Sequence, residues 1–596
     1  MSLFRRQNKI KIAVSVFLLA ALTFAACSCK DNGTKPGGTE SLITTTTSET
    51  TETETSAAPS ESEEILTRKK KDIVILATSD IHCCPQKGFG YTGLYRIREK
   101  FLKEGCEVIL VDDGDEFEGH GELFGPVTQG EQVVELMNKM GYDLAIPGNH
   151  DFNYGPDRLL ELTTMANHTY ISCNISKNGK LMFQPYLIKE VAGKRIAFVG
   201  ATTPRTMGVY TSTALFQDNN NKLIYGFKNG NKAKTLINTI QRNVDAVRAQ
   251  GVDYVVLMSH YGQAKKYKEY ENITYIAQNT HGIDVILDGH SHDAKKLKLV
   301  NTEGRNVTRI AMGARFSRIG YVRISGEDGS LKVGIFNWTS GDVSAAELFG
   351  IKNEMTEETD KALAKFNDTL YTKGGNIEYP LVINDPVKLT SDGKPYKIIS
   401  RGETNLGDFA ADAFRVTTGA DVAFITAEKF NASLGPGEFS LYDCYVTLPS
   451  LKKVCVIQAT GQQILDALEW SCRSYPNANS GFLQVSGITF KVDTKLKHSI
   501  KSKHGKFEKV EGKRRVSNVK IQGKAIDPEK TYKVASYIGL VKSGSNGYTM
   551  FKDCKTVKTE KRLDFQILYD YIMVNLKGTV GSQYKNPTGQ KRITAA

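Results

Sequence analysis

The chain has 596 residues, of which 40% are hydrophobic and 24% are charged, and its formal net charge is +13. This composition allows a sizeable packed core and excludes a wholly disordered, collagen-like or small disulfide-framework protein. A single long apolar run, at the N-terminus, excludes a protein with several membrane spans. The positive charge predicts either a solvated lysine-rich surface or attraction of phosphate-bearing substrates or acidic cell-envelope polymers. No segment interleaves basic and aromatic residues, so we expect no nucleic-acid polymer as a partner.

Residues 1–26 have the order of a secretory signal, in which basic residues precede an apolar stretch that is too short to span a membrane. The basic residues are Arg5, Arg6, Lys9 and Lys11. The stretch ends in Thr23-Phe24-Ala25-Ala26-Cys27, which resembles a bacterial lipobox. The resemblance implies cleavage before Cys27, lipid on its thiol, and anchoring at the outer face of the bacterial cytoplasmic membrane. Cys29 is a weaker alternative for the lipidated residue, and a plain secreted protein or an uncleaved signal anchor is the alternative to a lipoprotein.

Residues 27–70 are predicted to form a flexible tether. Thr, Ser and Glu dominate this segment, which therefore cannot bury enough apolar surface to offset its ordering entropy. Eight further cysteines follow it without a CxxC spacing. We expect most of them to be buried free thiols, because no zinc pattern or disulfide framework is evident.

Five short apolar runs are each followed by side chains that can bind metals. The predicted strands cover residues 72–78, 108–111, 142–146, 254–258 and 284–287. The residues that follow them include Asp80, His82, Asp115, Asn149, His150, Asp151, His260, His290 and His292. Ligands bind at the carboxyl ends of strands in open α/β sheets. One such cluster is a weak signal, but five in this order predict a metal site.

These blocks resemble those of the calcineurin-like metallophosphoesterases. The residues that carry the resemblance are Asp80-x-His82, Gly114-Asp115, Gly148-Asn149-His150-Asp151, His260 and Gly289-His290-Ser291-His292. Over residues 72–595 the chain is similar to the 5′-nucleotidase family, which includes UDP-sugar hydrolases and 2′,3′-cyclic-nucleotide phosphodiesterases. The resemblance implies an α/β fold with a four-layer α/β/β/α sandwich and a mixed α/β C-terminal domain.

The resemblance also implies the domain boundaries. The metallophosphoesterase domain is expected at residues 71–345, with 336–338 in its last strand. A linker helix is expected within residues 346–375, where the stretch 355–370 is polar and helix-forming. The C-terminal substrate-binding domain is expected at residues 376–596.

A dinuclear metal site is the chemical core of what the resemblance implies. One ion is expected on Asp80, His82 and His292, the other on Asn149, His260 and His290, with Asp115 bridging them. Imidazole and carboxylate ligands accept Zn, Mn, Fe or Co, so the identity of the two divalent ions stays open. Two such ions lower the pKa of a shared water and produce the hydroxide that attacks phosphorus.

His150 is the histidine of these blocks that is not expected to bind metal. With Asp151 and Asn153 it forms the expected catalytic set, and the resemblance implies that it stabilises the transition state or protonates the leaving oxygen. The nucleotidases usually have Asp where this chain has Asn153. Because Asn carries no charge, we expect His150 to be less basic than with an Asp partner. The change is either neutral or typical of the cyclic-nucleotide phosphodiesterase branch.

The expected nucleotide-binding positions of the second domain are altered. Asn431 stands where the family has Arg, Ser450 and Leu540 stand where it has stacking rings, and Asn546 stands where it has Asp. Arg401 remains near an expected phosphate contact, and Lys429 and Lys452 favour an anionic ligand. Either neighbours such as Phe430 and Tyr537 substitute, or the ligand is not an ordinary nucleoside monophosphate, or tight binding is lost while the metal centre is kept.

The sequence therefore predicts an exported, lipid-anchored metal-dependent phosphoesterase that hydrolyses nucleotide phosphate esters as a 5′-nucleotidase does. The alternatives within this class are a 2′,3′-cyclic-nucleotide phosphodiesterase/3′-nucleotidase and a UDP-sugar hydrolase. A non-catalytic surface binding lipoprotein on the same scaffold is the alternative from another class. No protein partner is predicted.

Overall fold

The computed structural model describes residues 70–119, 122–230, 232–338 and 344–596. The predicted signal peptide, Cys27 and the tether up to residue 69 lie outside the described residues. Within the described ranges, no helix is both long and apolar enough to cross a bilayer.

Two six-stranded sheets form the N-terminal lobe, by which we mean the elements that precede residue 350. The strands of the first sheet lie in the order Leu331–Asn337, Arg318–Ile324, Ile73–Thr78, Glu107–Asp112, Leu144–Ala145 and Thr169–Tyr170. Those of the second sheet lie in the order Lys296–Val300, Asn306–Ala311, Val285–Asp288, Tyr254–His260, Lys194–Thr202 and Tyr186–Val191. A small third sheet joins Lys180–Leu181, Ile175–Lys177 and Tyr225–Phe227. Both large sheets are parallel at their centres. The first sheet has antiparallel strands on one side and a parallel edge strand at Thr169–Tyr170, whereas the second has an antiparallel strand at each edge.

The two large sheets pack face to face between two layers of helices. Ile73 and Ile75 contribute to the core between the sheets, together with Phe198 from the second sheet. The alternate residues Val74 and Leu76 belong instead to the core that the first sheet shares with helices. This period of two is what a strand buried on both faces requires. The helices of this lobe are Gly90–Lys103, Phe124–Thr128, Glu131–Met140, Pro156–Met165, Lys234–Arg248, Ile273–Gln278 and Ala345–Phe349.

A helix at Glu354–Tyr371 joins this lobe to the rest of the chain. Asn353 begins it with a capping box, in which the Asn353 side chain accepts from the Thr356 backbone N–H at 3.1 Å. The Thr356 hydroxyl in turn accepts from the Asn353 backbone N–H at 3.1 Å. The reciprocal bonds satisfy two amide groups that a helix start leaves without partners. The observed helix confirms the helix-forming stretch expected at 355–370.

The C-terminal lobe, which follows this helix, has its own hydrophobic core. Its five-stranded sheet has the order Leu483–Ser486, Val422–Thr426, Thr531–Tyr537, Lys453–Thr460 and Lys555–Leu563. A four-stranded sheet has the order Lys524–Ala525, Val516–Ile521, Ile488–Val492 and Ile593–Ala595. The smaller sheets comprise Gly437–Phe439, Gly374–Ile377 and Thr579–Val580, then Asn384–Leu389 with Pro395–Lys397, and Ile500–Lys503 with Lys506–Val510. Its helices are Asn405–Thr418, Leu441–Thr447, Gly461–Ser471, Ile538–Val541 and Asp564–Asp570.

The cysteines of the described ranges are buried and free, as expected from their spacing. Burial raises the pKa of the Cys173 and Cys455 thiols to about 12, so neither is a thiolate near neutral pH.

His168 is buried between aromatic rings near the start of the Thr169–Tyr170 strand. Its ring centroid lies 6.1 Å from that of Tyr142 and 5.1 Å from that of Tyr170. Among the described residues, neither ring nitrogen has a hydrogen-bond partner. Burial therefore lowers the pKa of His168 to about 4, and the folded protein holds the imidazole neutral.

We expect His168→Phe to make the fold less sensitive to acid. The unfolded chain takes up a proton near pH 6.5, whereas the folded chain does so only near pH 4, so stability falls as the pH drops through this window. The loss amounts to about 3 kcal/mol at most, or several degrees in Tm. Thermal unfolding of chelator-treated protein at pH 7 and pH 4.5 measures it, with the exposed His498→Gln as control. An unchanged pH dependence in His168→Phe would contradict the burial of a neutral imidazole.

Candidate metal centre

The first of two ligand groups contains Asp80, His82 and His292, whose donor atoms all lie within 4.8 Å of one another. The Nε2 atoms of His82 and His292 are 2.9 Å apart. Asp80 Oδ1 lies 3.3 Å from His292 Nε2, and the Asp80 and His82 side chains are fully buried. Each residue follows the carboxyl end of a parallel strand, which is why distant segments meet here.

The second group contains Asp115, His260 and His290, again within 4.8 Å of one another. His260 Nε2 lies 3.1 Å from Asp115 Oδ2 and 4.0 Å from Asp80 Oδ1, so the two groups are adjacent. Asn149 immediately precedes His150, whose backbone N–H donates to Asp115 Oδ1 at 2.6 Å. The structure thus gathers the residues that the sequence predicts as ligands around one point.

Backbone carbonyl groups orient two of the imidazoles. His82 Nδ1 lies 2.9 Å from the carbonyl oxygen of Glu118, and His260 Nδ1 lies 2.6 Å from that of Asp113. A carbonyl oxygen only accepts, so each Nδ1 carries the proton and each Nε2 presents a lone pair. Metal-binding histidines are commonly held in this way by their second nitrogen.

Two buried atoms of the predicted metal ligands have no hydrogen-bond partner among the described residues. They are the amide oxygen Oδ1 of Asn149 and the Nε2 atom of His260. A buried polar atom without a partner costs about 1–3 kcal/mol. A divalent cation satisfies such atoms, and the mixture of imidazole nitrogen with carboxylate and amide oxygen suits Zn, Mn, Fe or Co. The residues present therefore fit a dinuclear divalent centre.

The backbone is strained where these donors are attached. Five of the seven predicted ligands have positive φ angles, which are 53° at Asp80, 50° at His82, 65° at Asp115, 75° at His290 and 53° at His292. Each such residue costs on the order of 1–3 kcal/mol and persists only where its surroundings hold it. Glycine at two neighbouring positions lets the segments approach. A Cβ at Gly148 would lie 2.3 Å from Asp115 Oδ1, and one at Gly289 would lie 2.3 Å from Ser79 Oγ.

A buried ionic network fixes the loop that carries His290 and His292. The Arg309 guanidinium is fully buried and donates to Asp288 Oδ2 at 2.8 Å and to Asp293 Oδ2 at 2.7 Å. Asp288 Oδ1 also accepts from the backbone N–H of Tyr261 and Gly262, at 3.1 Å each. The Asp288 carboxylate therefore connects the loop that follows the Val285–Asp288 strand to the turn that follows the neighbouring Tyr254–His260 strand.

His150 lies at the edge of the cluster, and its partner is a residue that the sequence analysis does not include. Its Nδ1 atom is 3.2 Å from Glu118 Oε2 and 3.0 Å from Asn153 Nδ2. Burial lowers the pKa of His150, but the carboxylates of Asp115 and Glu118 outweigh it and raise the pKa to about 9. The expected loss of basicity is thus offset by Glu118. The run of acids directly after Asp115 is the signal that could have identified it.

Asp151 has a structural task in place of the expected catalytic one. Its two oxygens accept from the backbone N–H groups of Asp115, Glu116, Phe117 and Gly148 at 2.7–3.1 Å. The side chain is fully buried, and these bonds hold the loop that carries Asp115. Because both oxygens face the backbone, Asp151 positions the site without facing a substrate.

A cavity of about 260 Å³ adjoins Glu118 and Asn153 and is lined by both lobes. Four residues expected to bind substrate line it, and these are Lys429, Lys452, Leu540 and Asn546. Ser450 lies beside the hydroxyl of Tyr537, which also lines the cavity.

Two residues expected to bind substrate lie elsewhere among the described residues. The Arg401 guanidinium is 4.6 Å from the ring centroid of Tyr396, and Asn431 Nδ2 donates to the Val446 carbonyl at 3.1 Å. Neither belongs to the cavity lining. Tyr210, which the sequence did not single out, does line it, and its hydroxyl is 3.1 Å from His290 Nε2.

The four-layer sandwich and its donor cluster define a calcineurin-like phosphoesterase, a metal-dependent phosphoric ester hydrolase, and residues 73–294 match that family. Residues 389–553 match the domain described as 5′-nucleotidase, C-terminal domain. The chain belongs to the 5′-nucleotidase family of calcineurin-like phosphoesterases, which confirms the predicted fold class.

Several curated relatives match most of the chain. It is 25% identical to the trifunctional nucleotide phosphoesterase protein YfkN of Bacillus subtilis over 84% of its length, but spans only 34% of that protein. It is 24% identical to the 5′-nucleotidase of Bos taurus, covering 84% of this chain and 88% of that one. It is also 24% identical to the 2′,3′-cyclic-nucleotide 2′-phosphodiesterase/3′-nucleotidase of Haemophilus influenzae, covering 84% of each.

Among solved structures, the chain resembles a Staphylococcus aureus protein described as a candidate 5′-nucleotidase in complex with α-ketoglutarate. The TM-score is 0.51 at 17% identity, covering 88% of this chain and 100% of that chain. This similarity concerns the fold alone.

We expect chelation to lower the Tm of the protein. A cation that binds only the folded state adds about 2.7 kcal/mol when its concentration is 100 times its Kd, because it satisfies the buried donor atoms. EDTA should therefore lower Tm by several degrees, and excess Mn²⁺ or Zn²⁺ should restore it. His292→Ala should lose most of this metal-dependent shift, whereas the exposed His498→Ala should keep it. Equal shifts in the two variants would contradict the assignment of the first ligand group.

Proposed function

We propose that this chain is an exported hydrolase that releases phosphate from nucleotide esters, with 5′-nucleoside monophosphates as the leading substrates. The observation that carries the proposal is the convergence of six donor side chains, in two adjacent groups, beside a cavity whose lining includes lysines. The names of the curated relatives support nucleotides as the substrate class.

In this proposal the predicted ligands divide between two divalent ions. Asp80, His82 and His292 would hold one ion and Asn149, His260 and His290 the other, and Asp115 would be shared between them. When bound, the ions lower the pKa of a water and stabilise the charge that develops during in-line displacement. Strong hydrogen bonds within the protein orient Asp115 and His260 before substrate arrives.

His150 moves the proton that the reaction requires. Its imidazole is partly exposed at the edge of the donor cluster, with 25% of its side-chain surface accessible. The ring donates a proton to the ester oxygen as the P–O bond breaks, and the proton released by the attacking water balances it. Glu118 holds the opposite side of the ring, and the Asn153 amide donates to the Glu118 carboxylate.

The cavity selects an anionic ligand through lysine charge in place of the family's Arg. Lys429 and Lys452 line it, and Tyr537 supplies a ring near the position where stacking is expected. Phe430 does not substitute, because its side chain packs within the C-terminal core and is not part of the cavity lining. The domain boundaries at 71–345, 346–375 and 376–596 are part of the proposal, supported by the separate hydrophobic cores.

A second candidate activity is hydrolysis of 2′,3′-cyclic nucleotides. Asn153 at the position beside His150 favours it, and a relative with this activity in its name covers most of the chain.

We expect metal-dependent release of phosphate that is lost in Asp115→Ala. The substitution removes the shared carboxylate, so kcat should fall about 10³-fold or more. The assay compares 5′-mononucleotides, 2′,3′-cyclic nucleotides, UDP-glucose and a non-nucleotide sugar phosphate with Mn²⁺ present, and His498→Ala is the control. A strong preference for the sugar phosphate or UDP-glucose would overturn the leading substrate. Absence of hydrolysis with every substrate and every divalent ion tested would favour the binding protein.

We also expect the chain to carry lipid on Cys27. Expressed in bacteria supplied with an alkyne-labelled fatty acid, the wild-type chain should incorporate the label because the lipobox-like segment directs transfer to that thiol. Cys27→Ala should lose the label, and Cys29→Ala, two residues along, should keep it. Loss of label in Cys29→Ala alone would move the anchor to Cys29, and an unlabelled wild-type chain would indicate a secreted protein.

A further inference from the structure

We propose that Glu118 is a positioning residue that orients two histidines of the site at once. Its carboxylate holds His150, and its backbone carbonyl holds His82. This inference rests on the proposed function, in which His82 binds metal and His150 moves a proton.

The geometry places one residue between the two rings. Glu118 Oε2 lies 3.2 Å from His150 Nδ1, and Glu118 O lies 2.9 Å from His82 Nδ1. The two imidazoles meet edge to face, with ring centroids 5.3 Å apart and an interplanar angle of 81°. A shift of this backbone segment would therefore disturb a metal ligand and the proton-transferring ring together.

The loop that carries Glu118 is held on both sides. The Asp151 carboxylate accepts from the backbone N–H groups of Glu116 and Phe117, at 3.0 and 3.1 Å. On the other side, a Cβ at Gly119 would lie 2.2 Å from His82 Nδ1, so only glycine lets the backbone pass this close to the ring. Hydrogen bonds and close packing therefore fix the loop where it approaches the histidines, as orientation of their rings requires.

The Glu118 side chain is itself held from the cavity side. Its Oε2 accepts from the Asn153 amide, and the Asn153 Oδ1 accepts from the Thr211 hydroxyl at 2.9 Å. The carboxylate is only 14% exposed. Burial raises the pKa of Glu118, but the hydrogen bond and charge of His150, the Asn153 amide and the Lys452 charge outweigh it and lower the pKa below its ordinary value.

A carboxylate at this place decides which imidazole nitrogen is available for chemistry. It accepts a hydrogen bond only from a protonated Nδ1, so the ring keeps a proton on that nitrogen and directs Nε2 to the far side. Without the carboxylate, the ring can turn or adopt the other tautomer. The expected effect is on kcat, because the ring acts on the leaving group and not on binding.

Glu118→Gln tests the side chain alone, because it keeps the backbone carbonyl that contacts His82. We expect kcat to fall about 10- to 100-fold with KM nearly unchanged, as for other residues that orient a functional histidine. The loss should be larger for nucleoside monophosphates than for p-nitrophenyl phosphate, whose leaving group needs no proton. Metal content should stay at two ions per chain. Glu122→Gln, an acid of the same segment that pairs with Lys87, should match wild type.

Relocation of the charge provides a rescue. Asn153 Nδ2 lies 3.0 Å from His150 Nδ1, so a carboxylate at position 153 reaches the same nitrogen. The kcat of the double variant Glu118→Gln/Asn153→Asp should therefore be at least about tenfold higher than that of Glu118→Gln alone. In a His150→Asn background, Glu118→Gln should lower kcat little further, because the effects of substituting two residues that act as one unit are not additive. A full additional loss in that background, or no rescue by the relocated acid, would overturn the proposal.

A spectroscopic readout separates this proposal from the proposed function. In ¹⁵N-histidine-labelled chain, the ring-nitrogen signals of His150, assigned with His150→Asn, should report a protonated Nδ1. These His150 signals should change in Glu118→Gln and should be the same as wild type in Glu122→Gln, whether or not any phosphoester is hydrolysed. Unchanged signals in Glu118→Gln would overturn the positioning role. A wild-type chain that shows the signals but no hydrolysis would contradict the proposed function alone.

Discussion

The site depends on the burial of lone pairs that face one another. Imidazole Nε2 atoms, carboxylate oxygens and the Asn149 amide oxygen converge at the shared strand ends of the N-terminal lobe. Left without a partner, each such atom costs about 1–3 kcal/mol, and like-oriented lone pairs repel. Divalent cations remove this cost for several donors together. The features that make the centre reactive therefore also couple its folding to metal binding.

Hydrogen bonds and ion pairs from other segments are needed to hold the metal-ligand side chains in an arrangement that is unfavourable without cations. Five ligands have left-handed backbone conformations, and bonds from outside their own segments fix them. Asp151 gathers the loop that carries Asp115, and the Arg309 network gathers the loop that carries His290 and His292. A buried ionic network of this kind adds little net stability, because desolvation of its charges offsets their attraction. Its value here is geometric, since removal of one partner would release a loop and leave a buried charge uncompensated.

The sequence was sufficient to predict the sheets and the donor cluster, because each depends on a local pattern. Apolar runs predict the buried strands, and parallel packing places their carboxyl ends together. The limits of short strands were less predictable: the run at 142–146 contributes only Leu144–Ala145, since pairing with both neighbours ends there. Two of the expected substrate positions lie outside the cavity for another reason. Arg401 and Asn431 were placed by their offset from motifs, whereas loop conformation decides which side chains reach the cavity.

Glu118 illustrates why a change at one motif position is difficult to interpret alone. Asn153 suggests that the histidine beside it lacks a charged partner, but Glu118, 35 residues earlier, places its carboxylate on the same imidazole. Charge near His150 is set by the sum of groups that surround it in space, not by one residue of the motif. Asn153 is consequently weak support for cyclic nucleotides as substrates. We propose that substrate choice depends instead on the C-terminal lining of the cavity, which includes Lys429, Lys452 and the Tyr537 ring. A flexible lysine attracts a phosphate without fixing its orientation as a bidentate Arg does, so this pocket restricts ligand geometry less than the family's usual one.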